Sequence, residues 1–225
     1  MEKVLVIIPA YNEAENICRV VDNLISKFPL YDYVVVNDGS KDDTRDICRK
    51  KKYNLLDIPV NLGLEGAFRA GMKYAFYNKY DYAVQLDGDG QHNPEYIQKM
   101  LECAMGGKDI VIGSRMEKEK NLRMLGARVI TWCIKLKTKH QISDPTSGMR
   151  LYNFRVIKAF AQNNNYAPEP DTIAFLMTRG IKVGECEVCM NERMFGKSYL
   201  NITNSIKYMV KVVCAIMLLN EFRKE

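Results

Sequence analysis

No apolar run in these 225 residues approaches the ~20 that a helix needs to cross a bilayer. The nearest candidate, Val212 to Leu219, is too short and is preceded by Lys207 and Lys211. Histidine is scarce: His92 and His140 are the only two, too few for a histidine-rich metal site. The seven cysteines are odd in number and spread out, so they read as reduced thiols of a cytosolic protein rather than a disulfide framework. Cys186-x-x-Cys189 has redox-like or zinc-like spacing but no second pair, and on a strand its thiols would face opposite ways. No G-x-G-x-x-G follows the first apolar segment, which argues against a dinucleotide-binding dehydrogenase, and no G-x-x-x-x-G-K-[ST] phosphate loop is present. The opening "MEKVLVIIPA" has one lysine and a short apolar run before Asn12, Glu13 and Glu15, a first strand and not an export signal.

What is present is ample apolar material, 47% of the chain, enough for one domain with a full core. The net charge of +6 is concentrated. Between Arg115 and His140 stand eight basic side chains (Arg115, Lys118, Lys120, Arg123, Arg128, Lys135, Lys137, Lys139) against Glu117 and Glu119, equal to the whole excess. Such a region suits an anionic partner (phosphate, nucleic acid or anionic lipid), and otherwise reads as a solvated helix face. No RNA- or DNA-binding module accompanies it, so nucleic acid is not expected.

Strand-like and helix-like segments alternate. Strands are expected at 3–8, 32–37, 82–86 and 109–114, with a short one at "NLLDI"; helices at 13–28, 42–52, "GAFRAGMKYAFYNKY" and 94–105. This rhythm predicts an α/β fold with a mostly parallel sheet and helices on both faces. Beyond it we expect helices near 122–138, 155–163 and 171–179, a turn at 144–148, a strand near 181–190 and a long helix from about 203.

The most informative stretch is "YAVQLDGDGQHNPE", residues 82–95. A buried strand ends in Asp87-Gly88-Asp89-Gly90. Strand C-termini are where open α/β sheets bind ligands, and two carboxylates this close repel unless a cation lies between them. A hard cation such as Mg²⁺ or Mn²⁺ is the natural occupant, with a solvated Asp-Gly turn as the plain alternative.

Five segments, "IPAYNEAENI" (8–17), "VVNDGSKDDT" (35–44), "NLGLEGAFRAGMKYA" (61–75), "LDGDGQHNPE" (86–95) and "IVIGSR" (110–115), resemble in order and spacing the nucleotide-sugar-binding half of family 2 glycosyltransferases, which have the GT-A fold. The resemblance implies a Rossmann-like half over 1–115 and an acceptor half over 116–225 within one domain. It places Pro9, Tyr11, Glu13 and Asp38 against base and ribose, and Asp87, Asp89 and Gln91 around the metal. Capping by Asn12 and Glu13 and a turn at Asp38 are their plain roles. Asn37 and Glu65 depart from the common pattern.

"DPTSGMRLYN" (144–153) and "NERMFGKSYLNI" (191–202) resemble the dolichyl- and polyprenyl-phosphate hexosyltransferases, a branch of that family. The branch implies that Arg115, with Arg128 or Arg123, holds an acceptor phosphate, and that Arg193 and Ser198 of an R-x-x-G-x-S pattern lie near the donor diphosphate. A phosphate monoester is largely dianionic at neutral pH and needs no general base; a hydroxyl acceptor would need one, for which Glu169 or Asp171 stands available, with Asp171 otherwise a helix cap.

The basic segment 125–140 mixes Val129, Ile130, Trp132, Ile134 and Leu136 with Arg128, Lys135 and Lys137, the pattern of a helix lying in a membrane interface or of a core helix. Without membrane spans, the chain resembles members that use a small integral-membrane partner, and its C-terminal helix is the candidate docking face.

The expectation is a metal-dependent, inverting transferase with catalytic residues Asp89 and Arg115. It would move a hexose or N-acetylhexosamine from a nucleotide sugar to polyprenyl phosphate, peripherally at the cytoplasmic membrane face. UDP-N-acetylglucosamine is placed ahead of UDP-glucose and GDP-mannose as donor. The alternatives are a transferase acting on a sugar hydroxyl with Asp171 or Glu169 as base, and a non-catalytic nucleotide-sugar-binding subunit.

Overall fold

The structure is a computed structural model that describes residues 2–115, 122–191 and 202–218, with the backbone alone at 122–125 and 202–206. Seven strands form one sheet: β1 (Val4–Ala10), β2 (Asp32–Asp38), β3 (Leu55–Ile58), β4 (Tyr82–Gln85), β5 (Ile110–Arg115), β6 (Arg150–Asn153) and β7 (Val183–Val188), in the order β3-β2-β1-β4-β6-β5-β7. Every pairing is parallel except those of β6, which runs antiparallel to both β4 and β5. The helices are α1 (Ile17–Lys27), α2 (Thr44–Lys50), α3 (Gly63–Tyr77), α4 (Ile97–Met105), α5 (Leu122–Thr138), α6 (Phe154–Gln162), α7 (Pro170–Thr178) and α8 (Ile202–Met217), with a 3₁₀ turn at Pro94–Tyr96.

The period-2 geometry of β1 divides the core. Leu5 and Ile7 face one side with Phe68 and Met72 of α3; Val4, Val6 and Ile8 face the other with Ile17, Val21 and Leu24 of α1 and Ile97 and Met100 of α4. A strand covered on both faces reads as a continuous apolar run, which is why "VLVII" lacks alternation.

Three local expectations are corrected. The strand β6 lies where only a turn followed by a family-like segment was expected. It has four residues and begins with a charge, and its ladder is completed by neighbours far away in sequence. Helix α1 begins at Ile17, not at 13. Asn12 adopts a left-handed backbone (φ 56°) and does not cap; its N–H donates to Ser40 Oγ (3.0 Å) and its Oδ1 accepts from Lys41 N (2.8 Å). The Glu13 N–H likewise donates to Thr44 Oγ1 (2.8 Å), so the chain after β1 is tied sideways to the β2–α2 turn. Finally, Asp171 lies in the first turn of α7 and Glu169 holds the N-cap position without a side-chain cap bond.

Helix α3 crosses β1 at Gly71, where a Cβ would meet Ile7 Cγ2 at 2.4 Å. Gly71→Val should therefore lower stability by about 1–3 kcal/mol through overpacking, read as a fall in midpoint on chemical denaturation with an unchanged slope.

Candidate active site

The strand order reverses beside β1: the chain runs outward through β2 and β3, then returns to place β4 on the other flank. At such a switch point two strand C-termini diverge and leave a crevice. The cavity here, about 210 Å³, is lined by Pro9, Tyr11 and Glu13 after β1, Asp38 at the end of β2, Leu64 of α3, and Asp87, Gly88 and Asp89 after β4. Six residues expected from the sequence to contact donor or metal thus meet on one sheet edge.

The turn after β4 is braced on several sides. Gly90 takes φ +79°, and a Cβ there would lie 2.5 Å from Arg19 Nη2. Arg19 donates to the carbonyl of Asp89 (3.0 Å). The Asp89 carboxylate accepts from Gln91 N (3.0 Å), and the Gln91 carbonyl accepts from Asn191 N (2.8 Å). His92 is buried; its Nδ1 accepts from Asp87 N (3.0 Å) and its Nε2 lies 3.6 Å from Asp87 Oδ2. Neither Arg19 nor His92 was legible as a brace, because the partner of each is a backbone group that only folding delivers.

Asp89 is 5% exposed, while the Asp87 side chain keeps 37% of its surface. Two carboxylates on a cavity wall suit a hard divalent cation whose other ligands come from water and substrate oxygens; Gln91, expected to join them, is not among the cavity-lining residues and meets Asp89 through its backbone N–H. Among the described residues no cluster of three or more His, Cys, Asp or Glu side chains forms a complete protein cage.

Asp38 is buried, and its Oδ1 accepts from Leu62 N (2.8 Å), so it fastens the loop before α3 as well as lining the cavity. Glu13 Oε2 accepts from Asn16 Nδ2 (2.8 Å). Tyr11 stays 40% exposed at the mouth.

Arg115 ends β5, which runs parallel to β4 with β6 between them. Its lateral separation from the Asp87–Asp89 edge is therefore on the order of 10 Å, two inter-strand spacings. The guanidinium meets buried Asp144 in a two-point pair, Nε to Oδ2 at 2.6 Å and Nη2 to Oδ1 at 2.8 Å, with Nη2 also donating to Thr146 Oγ1 (3.1 Å). Burial alone would push the Asp144 carboxyl up, but the Arg115 guanidinium outweighs it and holds the group below its usual value. The sequence had offered Asp144 only as part of a turn.

Arg128 stands exposed on α5, and the side chain of Arg123 lies outside the described residues, as do Arg193 and Ser198. Glu169 accepts a hydrogen bond from the Tyr208 hydroxyl of α8, and burial pushes its carboxyl above the usual range against the opposing pull of Tyr208 and Arg150. Asp171 is half-buried.

Comparison with known proteins agrees with this geometry. The Glycosyl transferase family 2 profile matches residues 5–160. The chain is 27% identical to the polyprenol monophosphomannose synthase of Mycolicibacterium smegmatis, over 94% of this chain and 86% of that one. It is 28% identical to the UDP-N-acetylglucosamine–dolichyl-phosphate N-acetylglucosaminyltransferase of Methanococcus voltae, over 82% and 84%. In fold it is similar to glucosyl-3-phosphoglycerate synthase from Mycobacterium tuberculosis, solved with Mn²⁺, UDP-glucose and phosphoglyceric acid. The TM-score is 0.73 at 16% identity, covering 100% of this chain and 81% of that one. With a switch-point cavity, a D-x-D turn on its wall and a family profile spanning more than half of its length, the chain belongs to glycosyltransferase family 2 and carries the GT-A fold.

Proposed function

We propose that this protein transfers a hexose or N-acetylhexosamine from a nucleotide sugar to a polyprenyl phosphate, with inversion. The observation that carries the reading is the shared sheet edge: the Asp87–Asp89 carboxylates after β4 and the Arg115 guanidinium after β5. The first pair suits a metal-bound diphosphate and the second a phosphate monoester, and the relatives named above act on lipid phosphates. We take a UDP-sugar as donor, in line with the Methanococcus relative.

In this reading the acceptor phosphate oxygen bonds to the anomeric carbon as the bond from that carbon to the diphosphate oxygen breaks, the electron pair leaving with the nucleoside diphosphate. Asp89 and Asp87, with Gln91, would hold a divalent cation, which when bound would neutralise charge on the diphosphate. Pro9, Tyr11, Glu13 and Asp38 seat base and ribose. Arg193 and Ser198 are assigned to the diphosphate, and Arg115 with Arg128 or Arg123 to the acceptor, Arg being suited to phosphate by its planar fork. No proton has to be removed, since the phosphate monoester's second pKa is near ~6.

Helix α5 supports a membrane-side acceptor. Ile130, Cys133 and Ile134 are buried, whereas Val129, Trp132 and Leu136 are 49%, 61% and 56% exposed at i, i+3 and i+7, flanked by exposed Arg128, Lys135 and Lys139. An apolar stripe with a Trp between cations is the pattern of a helix seated on an anionic lipid surface. Among the described residues no helix is long and apolar enough to cross a membrane.

The second reading, a hydroxyl acceptor, needs a base. Glu169, which accepts from Tyr208, and Asp171 in the first turn of α7 are the candidates.

The test of function is turnover of undecaprenyl phosphate in detergent with Mn²⁺ and a panel of UDP- and GDP-sugars. We expect an EDTA-sensitive lipid-linked sugar, reduced about a hundredfold or more in Asp89→Asn, the scale of several kcal/mol of lost charge stabilisation, and largely spared in Asp171→Asn. Silence with every donor, in detergent and in membranes, together with transfer to a sugar hydroxyl would sink the proposal.

Membrane contact has its own readout. Trp132→Glu should abolish co-sedimentation with phosphatidylglycerol vesicles, and wild-type binding should weaken with salt.

Glu169 gives a pH prediction. Its folded pKa lies above its unfolded one, so its stabilising contribution is full below the ordinary carboxylate value and is lost as pH rises through the raised one. Glu169→Gln should flatten that decline in a series of thermal melts across pH.

A further inference from the structure

We infer that Asp144 is the positioning residue for Arg115: it presets the guanidinium that receives the acceptor phosphate. The inference rests on the phosphate-acceptor reading above and deepens it.

The pair is asymmetric. Asp144 is 2% exposed, whereas the Arg115 side chain keeps 41% of its surface. The carboxylate takes Nε and Nη2, one edge of the fork, and also accepts from the Arg115 backbone N–H (3.3 Å). Thr146 closes the arrangement, accepting from Nη2 and donating to Asp144 Oδ1 (3.1 Å).

The loop that carries Asp144 is itself fixed from below. Ser143 N donates to both oxygens of Glu185 (2.9 Å each), and Asp144 N donates to Glu185 Oε1 (3.1 Å). Arg150, 1% exposed, donates from Nη2 to the Pro145 carbonyl (2.8 Å) and from Nη1 to the Pro168 carbonyl. Strand residues of β7 and β6 thus clamp the loop, and the loop clamps Arg115.

Stability alone is a poor reason for this construction. A buried carboxylate is costly to desolvate, and exchanging a buried ion pair for apolar groups is often neutral or better. What the pair supplies is orientation. A strand-end arginine would otherwise sample many rotamers, and ordering it only when the acceptor arrives would weaken binding. Lysine at position 115 would keep the charge and lose the two-point fit.

The experiment compares wild type, Asp144→Asn and Thr146→Val in the turnover assay with undecaprenyl phosphate, measuring KM for acceptor and donor separately from kcat. Asp144→Asn keeps the shape, but its amide NH2 replaces one accepting oxygen and Arg115 loses its counter-ion, so a lower melting temperature accompanies it. We expect its acceptor KM to rise about tenfold, the scale of one unordered rotamer-rich side chain, with kcat and donor KM little changed. Thr146→Val, which removes a single hydrogen bond, should raise acceptor KM by about two- to threefold; it carries the test should Asp144→Asn fail to fold. An active wild type whose folded variants keep the acceptor KM, or lose kcat and donor affinity equally, would overturn the assignment while leaving the proposed reaction standing. A wild type that makes no lipid product in detergent or in membranes, and transfers to a sugar hydroxyl instead, would overturn both.

Discussion

The pairing of β4 against β1 is the constraint on which the rest of the site depends. Four consecutive registrations, Val4 with Tyr82 through Ile7 with Gln85, set where β4 must stop relative to β1. Its last main-chain tie, Leu86 N to the Ile7 carbonyl (3.0 Å), comes one residue before Asp87. The D-x-D turn therefore begins level with Pro9, and a shift of one residue would turn its carboxylates away from the cavity. The apolar runs of both strands fix the register, being buried on both faces, so the same burial that stabilises the sheet also aims the site.

Around that edge, polar groups act as spacers and clamps more than as sources of stability. Arg19, His92 and Asn191 each hold a backbone group of the 87–91 turn. Glu185 and Arg150 do the same for the 143–145 loop. Each is charged or polar and directed at main chain, and main-chain groups withdrawn from water must find partners. The consequence is that the D-x-D turn and the Arg115–Asp144 pair are anchored to different strands, β1 and β4 for the first, β5, β6 and β7 for the second.

Helix α5 shows how one segment serves two surfaces. Ile130, Cys133 and Ile134 complete the core beneath the sheet, while Val129, Trp132 and Leu136 remain outside it. The helix packs against α8, whose Tyr208 reaches Glu169 at the start of α7. The C-terminal helix is in this way tied to the start of α7.

Much of this was determined by the sequence by itself. Alternating apolar runs and helical periodicities specify the β/α order, and a D-x-D turn at a strand end, read with four companion segments, marks the switch-point cavity. These signals are local: each is complete within about fifteen residues. Tertiary structure decided what local signals do not contain. β6 is a strand because β4 and β5 lend it hydrogen-bond partners 38 to 71 positions away, Ile112 with Arg150 and Tyr82 with Asn153 among them. Apolar spacing on α5 could not say which residues were core, since both stripes have helical period; only the position of the sheet separates them. Asp144 looked like a turn residue until the fold set Arg115 against it across 29 positions. An ion pair between separate segments leaves no periodicity in either one, and its existence depends on the three-dimensional path between them.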